Sequence, residues 1–308
     1  MNQKKIILVT GATGAQGGGV ARALLAEKKF AVRILTRNGT SKKALALQAE
    51  GAEIAEGDLD NIESLKAAMK DCYGVFGVTN FWEHFEKEYQ QGINLINAVH
   101  EQGIQHFVLH TLPDYSKLSN GKYPTPHCDM KAALQEYTKR KGIPATFVHV
   151  AFYYENFLNF FPLQPVNDGS YSFGFPQGNT KLAMVGIQDL GGIIAAVFRF
   201  PVEYIGRTIG AVGADDNCNE YAAIMSKVLG RQVRYHYIPR DVYAGLGFPG
   251  AEELANMFEV QRLYISNRQL DLIESYGLNP NMQTFESWLK QHAAAFEKTF
   301  QAAEASVL

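Results

Sequence analysis

The architecture follows from one segment close to the start of the chain, Thr10-Gly11-Ala12-Thr13-Gly14-Ala15-Gln16-Gly17-Gly18-Gly19. The segment has the glycine spacing G-x-x-G-x-x-G, directly after an apolar run at Lys5–Thr10 and at the start of a helical pattern at Gln16–Glu27. Between a strand and a helix, such glycines allow a tight turn, close approach of the backbone to a pyrophosphate, and close packing of the helix on the strand. The first N–H groups of the helix add positive potential. This context favours a dinucleotide-binding turn over a glycine turn that binds nothing.

The first 150 residues alternate short apolar runs with longer segments of helical period, which is typical of a parallel sheet covered by helices on both faces. Strands are predicted at Lys5–Thr10, Ala31–Thr36, Glu53–Glu56, Gly74–Thr79, Phe107–Thr111 and Thr146–Val150. Helices are predicted at Gln16–Glu27, Lys42–Ala49, Ile62–Lys70, Glu86–Gln102 and Asp129–Lys141. In the fourth helix, the stripe expected to face the sheet consists of Ile93, Ile96, Val99 and His100. The predicted fold class is therefore α/β, a doubly wound parallel sheet of the NAD(P)-binding Rossmann type.

After Val150 the sequence becomes rich in aromatic residues and glycine, which indicates the loops and short strands of a smaller carboxyl-terminal α/β lobe. Later helices are predicted at Asp189–Phe198, Glu220–Leu229, Ala251–Tyr264, Ser266–Tyr276 and Thr284–Lys298. Asp189 and Thr284 are the expected N-caps of two of them, because each precedes an amphipathic run. We therefore expect a nucleotide-binding domain at residues 1–150 and a substrate or partner lobe at residues 151–308, and parts of 180–215 are free to return to the first domain.

The residues after the second strand indicate which dinucleotide is bound. An acidic residue there would hold the ribose hydroxyls of NAD, whereas this chain has Arg37. The guanidinium can engage a 2′-phosphate through two hydrogen bonds, and Lys42 or Lys43 adds positive charge. NADP(H) is therefore expected as the cofactor rather than NAD(H). The alternative is that Arg37 is a solvated loop cation.

Cofactor contacts are expected at the turn and after the third and fourth strands, where parallel sheets bind their ligands. In the turn, the expected residues are Gly11, Thr13, Gly14, Ala15, Gln16 and Gly17. Asp58 and Leu59 are expected near the adenine edge. The residues expected beside the central part of the cofactor are Thr79, Asn80 and Phe81. The alternative for Phe81 and Trp82 is ordinary hydrophobic packing.

The composition excludes several classes of function. In the 308 residues, 29 lysines and arginines against 31 acidic residues give a net charge of −2, which provides no cationic field for nucleic acid or an anionic membrane. The later apolar stretch at Ile193–Phe198 is far shorter than the roughly 20 residues that span a bilayer. Cys72, Cys128 and Cys218 are widely separated and indicate neither a metal site nor a disulfide framework. We expect a soluble cytoplasmic protein, with a nuclear location also open in a eukaryote.

Four sequence motifs, spread over nearly the whole chain, are characteristic in combination. They are the turn Gly11-Ala12-Thr13-Gly14-Ala15-Gln16-Gly17-Gly18, the strand end Val78-Thr79-Asn80-Phe81-Trp82-Glu83, the turn Tyr153-Tyr154-Glu155-Asn156, and the segment from Gly247-Phe248-Pro249-Gly250-Ala251 to Leu254-Ala255-Asn256-Met257-Phe258. Together they resemble the NmrA-like family of atypical short-chain dehydrogenase/reductase folds. The last segment favours a subgroup of NADPH sensors over plant isoflavone-reductase relatives. The resemblance implies a Rossmann domain, NADP(H) binding and a smaller carboxyl-terminal lobe.

The resemblance also implies roles for particular residues. Arg37 matches the family's arginine for the 2′-phosphate, and Lys131 matches the lysine that approaches the nicotinamide ribose. The turn beside the nicotinamide is matched by Tyr153, Tyr154 and Asn156.

The usual proton donor of a short-chain dehydrogenase, a tyrosine, is replaced by His127 in the register before Lys131. Thr111 matches the serine that orients the substrate, and its hydroxyl can still donate a hydrogen bond. Neutral imidazole is a poor acid, so His127 can act as a general acid only if a neighbour such as Asp129 holds it charged. The alternative for His127 is a structural or cofactor-positioning role. Tyr153 is a candidate substitute donor.

Two functions are compatible with these features. The first is an NADP(H)-responsive sensor or regulator that couples the cellular redox state to the binding of a protein partner, with little or no turnover. The second is an NADPH-dependent reductase of a carbonyl, quinone or enone, in which Lys131, Thr111 or Tyr153 organises the substrate. Direct reading of DNA is disfavoured, because the chain has no basic stripe and no recognition-helix motif. The sequence leaves an oligomer open.

Overall fold

The computed structural model describes residues 4–81, 87–265 and 267–305, and the chain forms two compact units. The first unit consists of Met1–Asp114, His127–Val150 and Ile187–Ala211. The second unit consists of Tyr115–Pro126, Ala151–Gly186 and Val212–Leu308. Each unit is therefore assembled from three separate stretches of chain. The functional labels of nucleotide-binding domain and partner lobe stay predictions.

Strands and helices are numbered here in chain order within the described residues. The strands are β1 Ile6–Val9, β2 Ala31–Thr36, β3 Glu53–Glu56, β4 Cys72–Gly77, β5 His106–Thr111, β6 Ala145–Val150, β7 Phe152–Tyr153, β8 Gln164–Pro165, β9 Tyr171–Phe175, β10 Lys181–Val185, β11 Thr208–Ala211, β12 Ala214–Asn217 and β13 Val233–Tyr237. The helices are α1 Ala15–Glu27, α2 Lys42–Ala49, α3 Ile62–Met69, α4 Glu88–Glu101, α5 Tyr115–Leu118, α6 Pro126–Arg140, α7 Ile187–Arg199, α8 Pro201–Tyr204, α9 Cys218–Leu229, α10 Arg240–Ala244, α11 Ala251–Tyr264, α12 Gln269–Leu278 and α13 Phe285–Ala305. A turn of 3₁₀ helix spans Tyr154–Phe157.

The first unit is built on a sheet whose described strands number seven, in the order β11-β6-β5-β4-β1-β2-β3. Every neighbouring pair in this sheet is parallel. The chain runs outward from β1 to β3 and then outward on the other side from β4 to β6, so the strand order reverses between β1 and β4. In open parallel sheets, ligands bind outside the carboxyl ends of the strands at such a switch point. The predicted doubly wound α/β fold is confirmed.

Two details of this sheet differ from the sequence prediction. β4 lies at Cys72–Gly77 rather than at Gly74–Thr79, because the N–H of Val78 donates to the hydroxyl of Thr10 at 2.9 Å instead of continuing the ladder. β11 pairs with β6 and is absent from the predicted strands. Its four residues, Thr208–Ala211, include a glycine and are too few to show a strand period.

Apolar side chains cover both faces of the seven-stranded sheet. Successive residues of a strand point to opposite faces, and Leu8 and Ile7 of β1 accordingly belong to different packing groups. Leu8 joins one buried cluster with residues of α3, α4 and α6, which include Leu65, Leu95, Val99 and Leu134. On the other face, Phe198 of α7 packs against the rings of Phe30 and His106. Burial lowers the pKa of His106 to about 4, so at neutral pH this histidine is an uncharged packing residue.

Helices α1 and α7 approach each other closely through glycines. A Cβ on Gly191 would lie 2.4 Å from the carbonyl oxygen of Gly19, and a Cβ on Gly19 would lie 3.2 Å from the carbonyl oxygen of Ile187. The first contact is with backbone, which cannot rotate away as a flexible side chain can. The two helices must therefore separate to accept a larger residue at position 191.

We expect Gly191→Ala to lower the free energy of unfolding by about 1–3 kcal/mol, because overpacking forces the backbones of α1 and α7 apart. Gly277 in α12 is a matched helical control, since a Cβ there would meet no atom of the described residues within 4 Å. Gly277→Ala should instead stabilise the protein by about 0.5–1 kcal/mol, because alanine favours the helix. Urea denaturation of both variants measures the two effects. Equal stability of the two variants would contradict the close approach of the helices.

The second unit contains two three-stranded sheets among its described residues, with the orders β12-β10-β7 and β13-β9-β8. Its core is aromatic. Phe152 stacks on Phe161 with ring centroids 5.5 Å apart, and Phe175 stacks on Phe258 at 4.6 Å. The aromatic residues after Val150 therefore serve the packing of this unit.

The starts of α7 and α13 test the two predicted N-caps. The prediction for Asp189 is wrong, because α7 begins two residues earlier, at Ile187, and Asp189 is buried within its first turn. The prediction for Thr284 is confirmed, since its hydroxyl accepts a hydrogen bond from the N–H of Ser287 at 3.1 Å. A polar residue before an amphipathic run is thus a cap only when the helix begins after it.

Other helix starts differ by a few residues. α9 begins at Cys218 rather than at Glu220, because Asn217 caps it and Glu220 closes a reciprocal capping box. The predicted starts Glu86 and Ser266 lie outside the described residues. Within the described residues, every helix is too short or too polar to cross a lipid bilayer.

Three residues of the predicted stripe of α4 are confirmed, because Ile96 and Val99 are buried and Ile93 packs against the cluster that contains Leu8. His100 is exposed, whereas Gly92, Leu95 and Val99 are buried together with Glu88 at the start of the helix. The stripe therefore runs from Glu88 at intervals of three to four residues, and it brings a carboxylate into the interior of the first unit.

Candidate functional site

The glycine turn joins β1 to α1 at the carboxyl edge of the sheet. Gly11 has a φ of +61°, a value that favours glycine, and its carbonyl oxygen accepts a hydrogen bond from the N–H of Gly14 at 2.9 Å. Gly14 is the N-cap of α1, no side chain among the described residues caps this end, and the first turn carries no acidic residue. The N–H groups of the first turn and the positive end of the helix dipole are thus available to an anion.

Two glycines of the turn are required by close contacts. A Cβ on Gly17 would lie 2.4 Å from the carbonyl oxygen of Thr10, and a Cβ on Gly11 would lie 2.8 Å from Cγ1 of Val78. The first contact is between backbone segments, so α1 lies this close to β1 only because residue 17 is glycine. The turn therefore keeps the amino terminus of α1 against the sheet.

The remaining predicted residues of the turn lie at the start of α1. Thr13 is half-buried, and Ala15, the first residue of the helix, is exposed. The Oε1 atom of Gln16 is buried and has no hydrogen-bond partner among the described residues. A hydroxyl or amide donor of a ligand would satisfy this acceptor.

Arg37 follows the last residue of β2 and is exposed. The loop after it is shaped by Asn38, whose side-chain oxygen accepts from the N–H of Thr40 at 3.0 Å, and by Ser41, which caps α2. Lys42 is the first residue of α2 and is also exposed. Both cations therefore lie just beyond the carboxyl end of β2, where this fold holds the adenosine ribose of a dinucleotide.

The residues around the end of β3 are fixed by local hydrogen bonds. The N–H of Asp58 donates to the hydroxyl of Ser64 at 3.0 Å, and Leu59 packs against the buried cluster that contains Leu8. Glu56 accepts a hydrogen bond from the N–H of Gly39 at 2.9 Å, which ties the end of β3 to the loop after β2. Contacts of Asp58 and Leu59 with an adenine ring stay a prediction.

A buried ion pair lies beside the carboxyl end of β4. The Nζ atom of Lys131 on α6 is 2.5 Å from Oε1 of Glu88, the first residue of α4, and the two side chains are 7% and 0% exposed. The amino group also donates to the hydroxyl and carbonyl oxygens of Thr79 at 3.1 and 3.3 Å. The hydroxyl of Thr79 in turn donates to Oε1 of Glu88 at 2.5 Å. These three residues, here called the Glu88–Lys131–Thr79 cluster, supply an acceptor for each of the three N–H donors of the lysine.

Glu88 is a candidate site residue that the sequence prediction missed. Its Oε2 atom is buried and has no hydrogen-bond partner in the described part of the chain. The signal lies in the helical period, because Glu88 shares a face with Gly92, Leu95 and Val99. A carboxylate on an otherwise apolar face is seldom buried unless it is paired. This pattern therefore predicts a cationic partner, which the fold supplies as Lys131.

His127 lies one turn before Lys131 on α6 and packs on Phe81, with ring centroids 5.8 Å apart. Both side chains are buried. The contact supports the structural interpretation of His127 and the packing interpretation of Phe81, and a catalytic role of His127 stays a prediction. Asn80 is exposed, and Trp82 lies outside the described residues.

Thr111, the last residue of β5, is buried, and its hydroxyl donates to Oε1 of Gln135 at 2.8 Å. The same oxygen lies 3.0 Å from Nε2 of His149, and Nε2 of Gln135 donates to the hydroxyl of Thr208 at 3.1 Å. The hydroxyl proton of Thr111 is therefore used inside the first unit. Orientation of a substrate by Thr111 requires that this hydrogen bond be exchanged, and the role stays a prediction.

Tyr153, Tyr154 and Asn156 belong to the second unit, in and just after β7. The hydroxyl of Tyr153 is buried without a hydrogen-bond partner in the described residues, and burial raises the pKa of this phenol well above its ordinary value. Tyr154 is fully buried against the ring of Phe285. The phenol of Tyr153 is therefore protonated at neutral pH, and cofactor contacts from this segment stay predictions.

The cysteines of the described residues form no disulfide, and Cys128 and Cys218 are buried. Burial raises the pKa of Cys72 to about 11 and that of Cys218 to about 12, so both remain protonated at neutral pH. Residues 4–81, 87–265 and 267–305 contain no group of three or more histidine, cysteine or carboxylate side chains that could hold a metal ion.

Comparison with known proteins places this geometry in context. A model of the NmrA-like family matches residues 3–289 of the chain. An NmrA-like family domain-containing protein of Dictyostelium discoideum is 32% identical over 245 residues, which cover 76% of this chain and 80% of that protein. The NmrA-like family domain-containing oxidoreductase FrzB of a Cladobotryum species is 31% identical over 277 residues, which cover 82% of each protein.

A solved structure shares the fold over almost the full length of both chains. The crystal structure of NmrA, a negative transcriptional regulator, in complex with NADP has a TM-score of 0.83 to this chain at 22% identity, and covers 97% of this chain and 98% of that one. At this identity the likeness supports the fold alone. With a family model that spans nearly the whole sequence and two relatives at 31 and 32% identity, the chain belongs to the NmrA-like family.

Proposed function

We propose that this protein is an NADP(H)-responsive sensor or regulator with little or no turnover, which couples the redox state of the cofactor to the binding of a protein partner. One observation carries the proposal. The amino group of Lys131 is held by Glu88 and Thr79, while His127 stands in place of the proton-donating tyrosine. A complete nucleotide turn beside an incomplete proton-transfer group suits binding better than catalysis.

The residues of the nucleotide site fit NADP(H). The close contact of Gly17 with the backbone of Thr10 keeps the amino terminus of α1 where a pyrophosphate can accept its N–H groups. Arg37 and Lys42 offer positive charge to a 2′-phosphate. The buried Oε1 atom of Gln16 can accept a hydrogen bond from the cofactor. The complex of NmrA with NADP is in keeping with this assignment. When bound, the cofactor supplies a nicotinamide ring that can give or take a hydride.

The arrangement of donors argues against efficient proton transfer. In a working pair, the lysine must share a hydrogen bond or its charge with the proton donor. Here the three N–H groups of Lys131 already have acceptors on Glu88 and Thr79. Position 127 moreover carries an imidazole instead of the phenol that usually donates the proton. Hydride transfer without a matched proton donor is slow, which favours binding over turnover as the function.

Arg37→Ala is expected to weaken NADPH binding by about 10- to 100-fold, because a hydrogen bond to a charged group contributes about 1.5–3 kcal/mol. NADH lacks the 2′-phosphate, and its affinity should change by less than about 3-fold. Calorimetric titration with NADPH, NADP⁺, NADH and NAD⁺ measures the preference. Arg22→Ala is the control, since Arg22 is an exposed arginine that pairs with Glu50 at the surface. An unchanged preference for phosphate in Arg37→Ala would refute the assignment of Arg37.

A sensor must also respond differently to the two redox states of its ligand, since a ligand with equal effects on two conformations shifts no population. Hydrogen exchange of the full chain with saturating NADPH and with saturating NADP⁺ tests this requirement. Different protection patterns support the proposal. Identical patterns, together with identical recovery of protein partners, would exclude a redox sensor.

The second candidate is an NADPH-dependent reductase of a carbonyl, quinone or enone. The relative FrzB is named as an oxidoreductase, and Tyr153 keeps a protonated hydroxyl without a partner in the described residues. Steady consumption of NADPH with a panel of quinones and aldehydes, lost in Lys131→Met, would favour this function over the sensor.

A further inference from the structure

The Glu88–Lys131–Thr79 cluster places a complete ion pair, rather than a lone cation, at the edge of the sheet where a nicotinamide would lie. We propose that Glu88 is a positioning residue that cancels the charge of Lys131 and thereby allows the oxidised cofactor to bind. In this view the pair sets the relative affinities for NADP⁺ and NADPH. The inference rests on the proposed function, because it assumes that the first unit binds NADP(H).

The location of the pair follows from the order of the strands. The glycine turn follows β1, Arg37 follows β2 on one side of it, and Thr79 follows β4 on the other side. A dinucleotide with its pyrophosphate on α1 and its adenosine phosphate at Arg37 must extend its other half past the end of β4. Lys131 is bound to Thr79 at this end through both oxygens of the threonine. The pair therefore lies on the nicotinamide side of the switch point.

The net charge beside the carboxyl end of β4 depends on Glu88. Burial, with the charge of Lys131 nearby, holds the pKa of His110 well below its ordinary value, so this histidine adds no charge at neutral pH. Lys131 then contributes one positive charge, and Glu88, in direct contact with it, contributes one negative charge. Both side chains are removed from water, so solvent screens their charges weakly, and the field of Lys131 depends on the opposite charge beside it.

The two redox states of the cofactor differ by one charge, and this charge lies on the nicotinamide ring. The oxidised nicotinamide ring is positive, and the reduced ring is neutral. A lone Lys131 would repel the oxidised ring and leave the reduced ring unaffected. With Glu88 in place the field of the lysine is compensated, and the carboxylate keeps a buried oxygen, Oε2, that has no partner among the described residues. The pair therefore allows NADP⁺ to bind at a site where a lone lysine would favour NADPH.

Calorimetric titration of the full chain with NADP⁺ and with NADPH tests this role. In Glu88→Gln, the ratio of the dissociation constants of NADP⁺ and NADPH is expected to rise about 10-fold over wild type, a change of about 1.4 kcal/mol in relative binding. Lys131→Met removes the cation and leaves the carboxylate of Glu88 without its partner. The ratio of the dissociation constants of NADP⁺ and NADPH should then fall below the wild-type value. The double variant Glu88→Gln with Lys131→Met removes both charges, and its ratio should return to within about 3-fold of wild type.

The opposite signs of the two single variants separate charge from structure. A merely structural role of Glu88 would weaken both cofactors together and leave the ratio unchanged in every variant, which would overturn the inference. If Glu88→Gln does not fold, the fall in the ratio for Lys131→Met and its return in the double variant still test the inference. Failure of wild type to bind either cofactor would instead refute the proposed function. Binding with a normal phosphate preference and an unchanged ratio would refute the role of Glu88 alone.

Discussion

Gly17→Ala is expected to weaken NADPH binding by at least about 100-fold and to lower the free energy of unfolding by about 1–3 kcal/mol. A Cβ at this position would lie 2.4 Å from the carbonyl oxygen of Thr10 and 2.5 Å from the backbone of Gly11. Both obstacles are backbone, so α1 must move away from β1. This displacement takes the helix N–H groups away from the pyrophosphate, whose recognition depends on them. Calorimetric titration with NADPH and urea denaturation measure the two effects.

Gly191→Ala is the matched control for this prediction, because it overpacks the same helix from its other neighbour, α7. A Cβ there also meets backbone at 2.4 Å, yet Gly191 is not part of the nucleotide turn. The two variants should lose similar stability, and Gly191→Ala should retain NADPH affinity within about 3-fold of wild type. Wild-type affinity in Gly17→Ala would show that the glycine turn does not hold the phosphates.

Lys131→Met is expected to lower the free energy of unfolding by about 3–5 kcal/mol, because it leaves the carboxylate of Glu88 buried without its cation. The side chain of Glu88 is 0% exposed, and its remaining hydrogen bond comes from the hydroxyl of Thr79. Domains are commonly stable by about 5–15 kcal/mol, so the variant should still be folded in the absence of urea. Urea denaturation at neutral pH measures the loss.

The double variant of Lys131→Met with Glu88→Gln is the control for this loss. Replacing both partners of a buried ion pair by uncharged groups of similar size is often nearly neutral. The double variant should therefore recover to within about 1–2 kcal/mol of wild type, although it lacks the same lysine. Equal stability of the single and double variants would contradict the burial of the pair. Denaturation curves of equal slope would confirm that the variants unfold to similarly exposed states.

Much of the first unit can be predicted because its signals are local. The bounds of α2 at Lys42–Ala49 agree with the prediction, since Ser41 caps the helix and Gly51 follows it. β2 and β3 agree as well. β11 could not be found, because a four-residue strand is defined by its pairing with β6 rather than by its own composition. The cap predicted at Asp189 is wrong, because α7 begins two residues earlier, at Ile187, and Asp189 lies within its first turn.

The candidate site divides in the same way. The turn from Gly11 to Gly17 is a continuous segment whose spacing is visible in the sequence. The partners of Lys131 are not visible in the sequence, because Glu88 and Thr79 come from other elements and contact the lysine only in the folded protein. The helical period of α4 does place Glu88 on a buried face, but it cannot say which cation lies opposite. Pairing across elements is therefore the step that required a structure.

The assembly of the first unit from three stretches of chain has a consequence for synthesis on the ribosome. Residues up to Val150 contain the nucleotide turn and six of the strands, but β6 is then an edge with unpaired backbone groups, and α1 lacks its neighbour α7. Both deficits end only when Ile187–Ala211 has emerged, which takes several more seconds at roughly 5–20 residues per second. During this interval the unpaired backbone groups of β6 are exposed, and we expect chaperones to bind the nascent sheet at this stage.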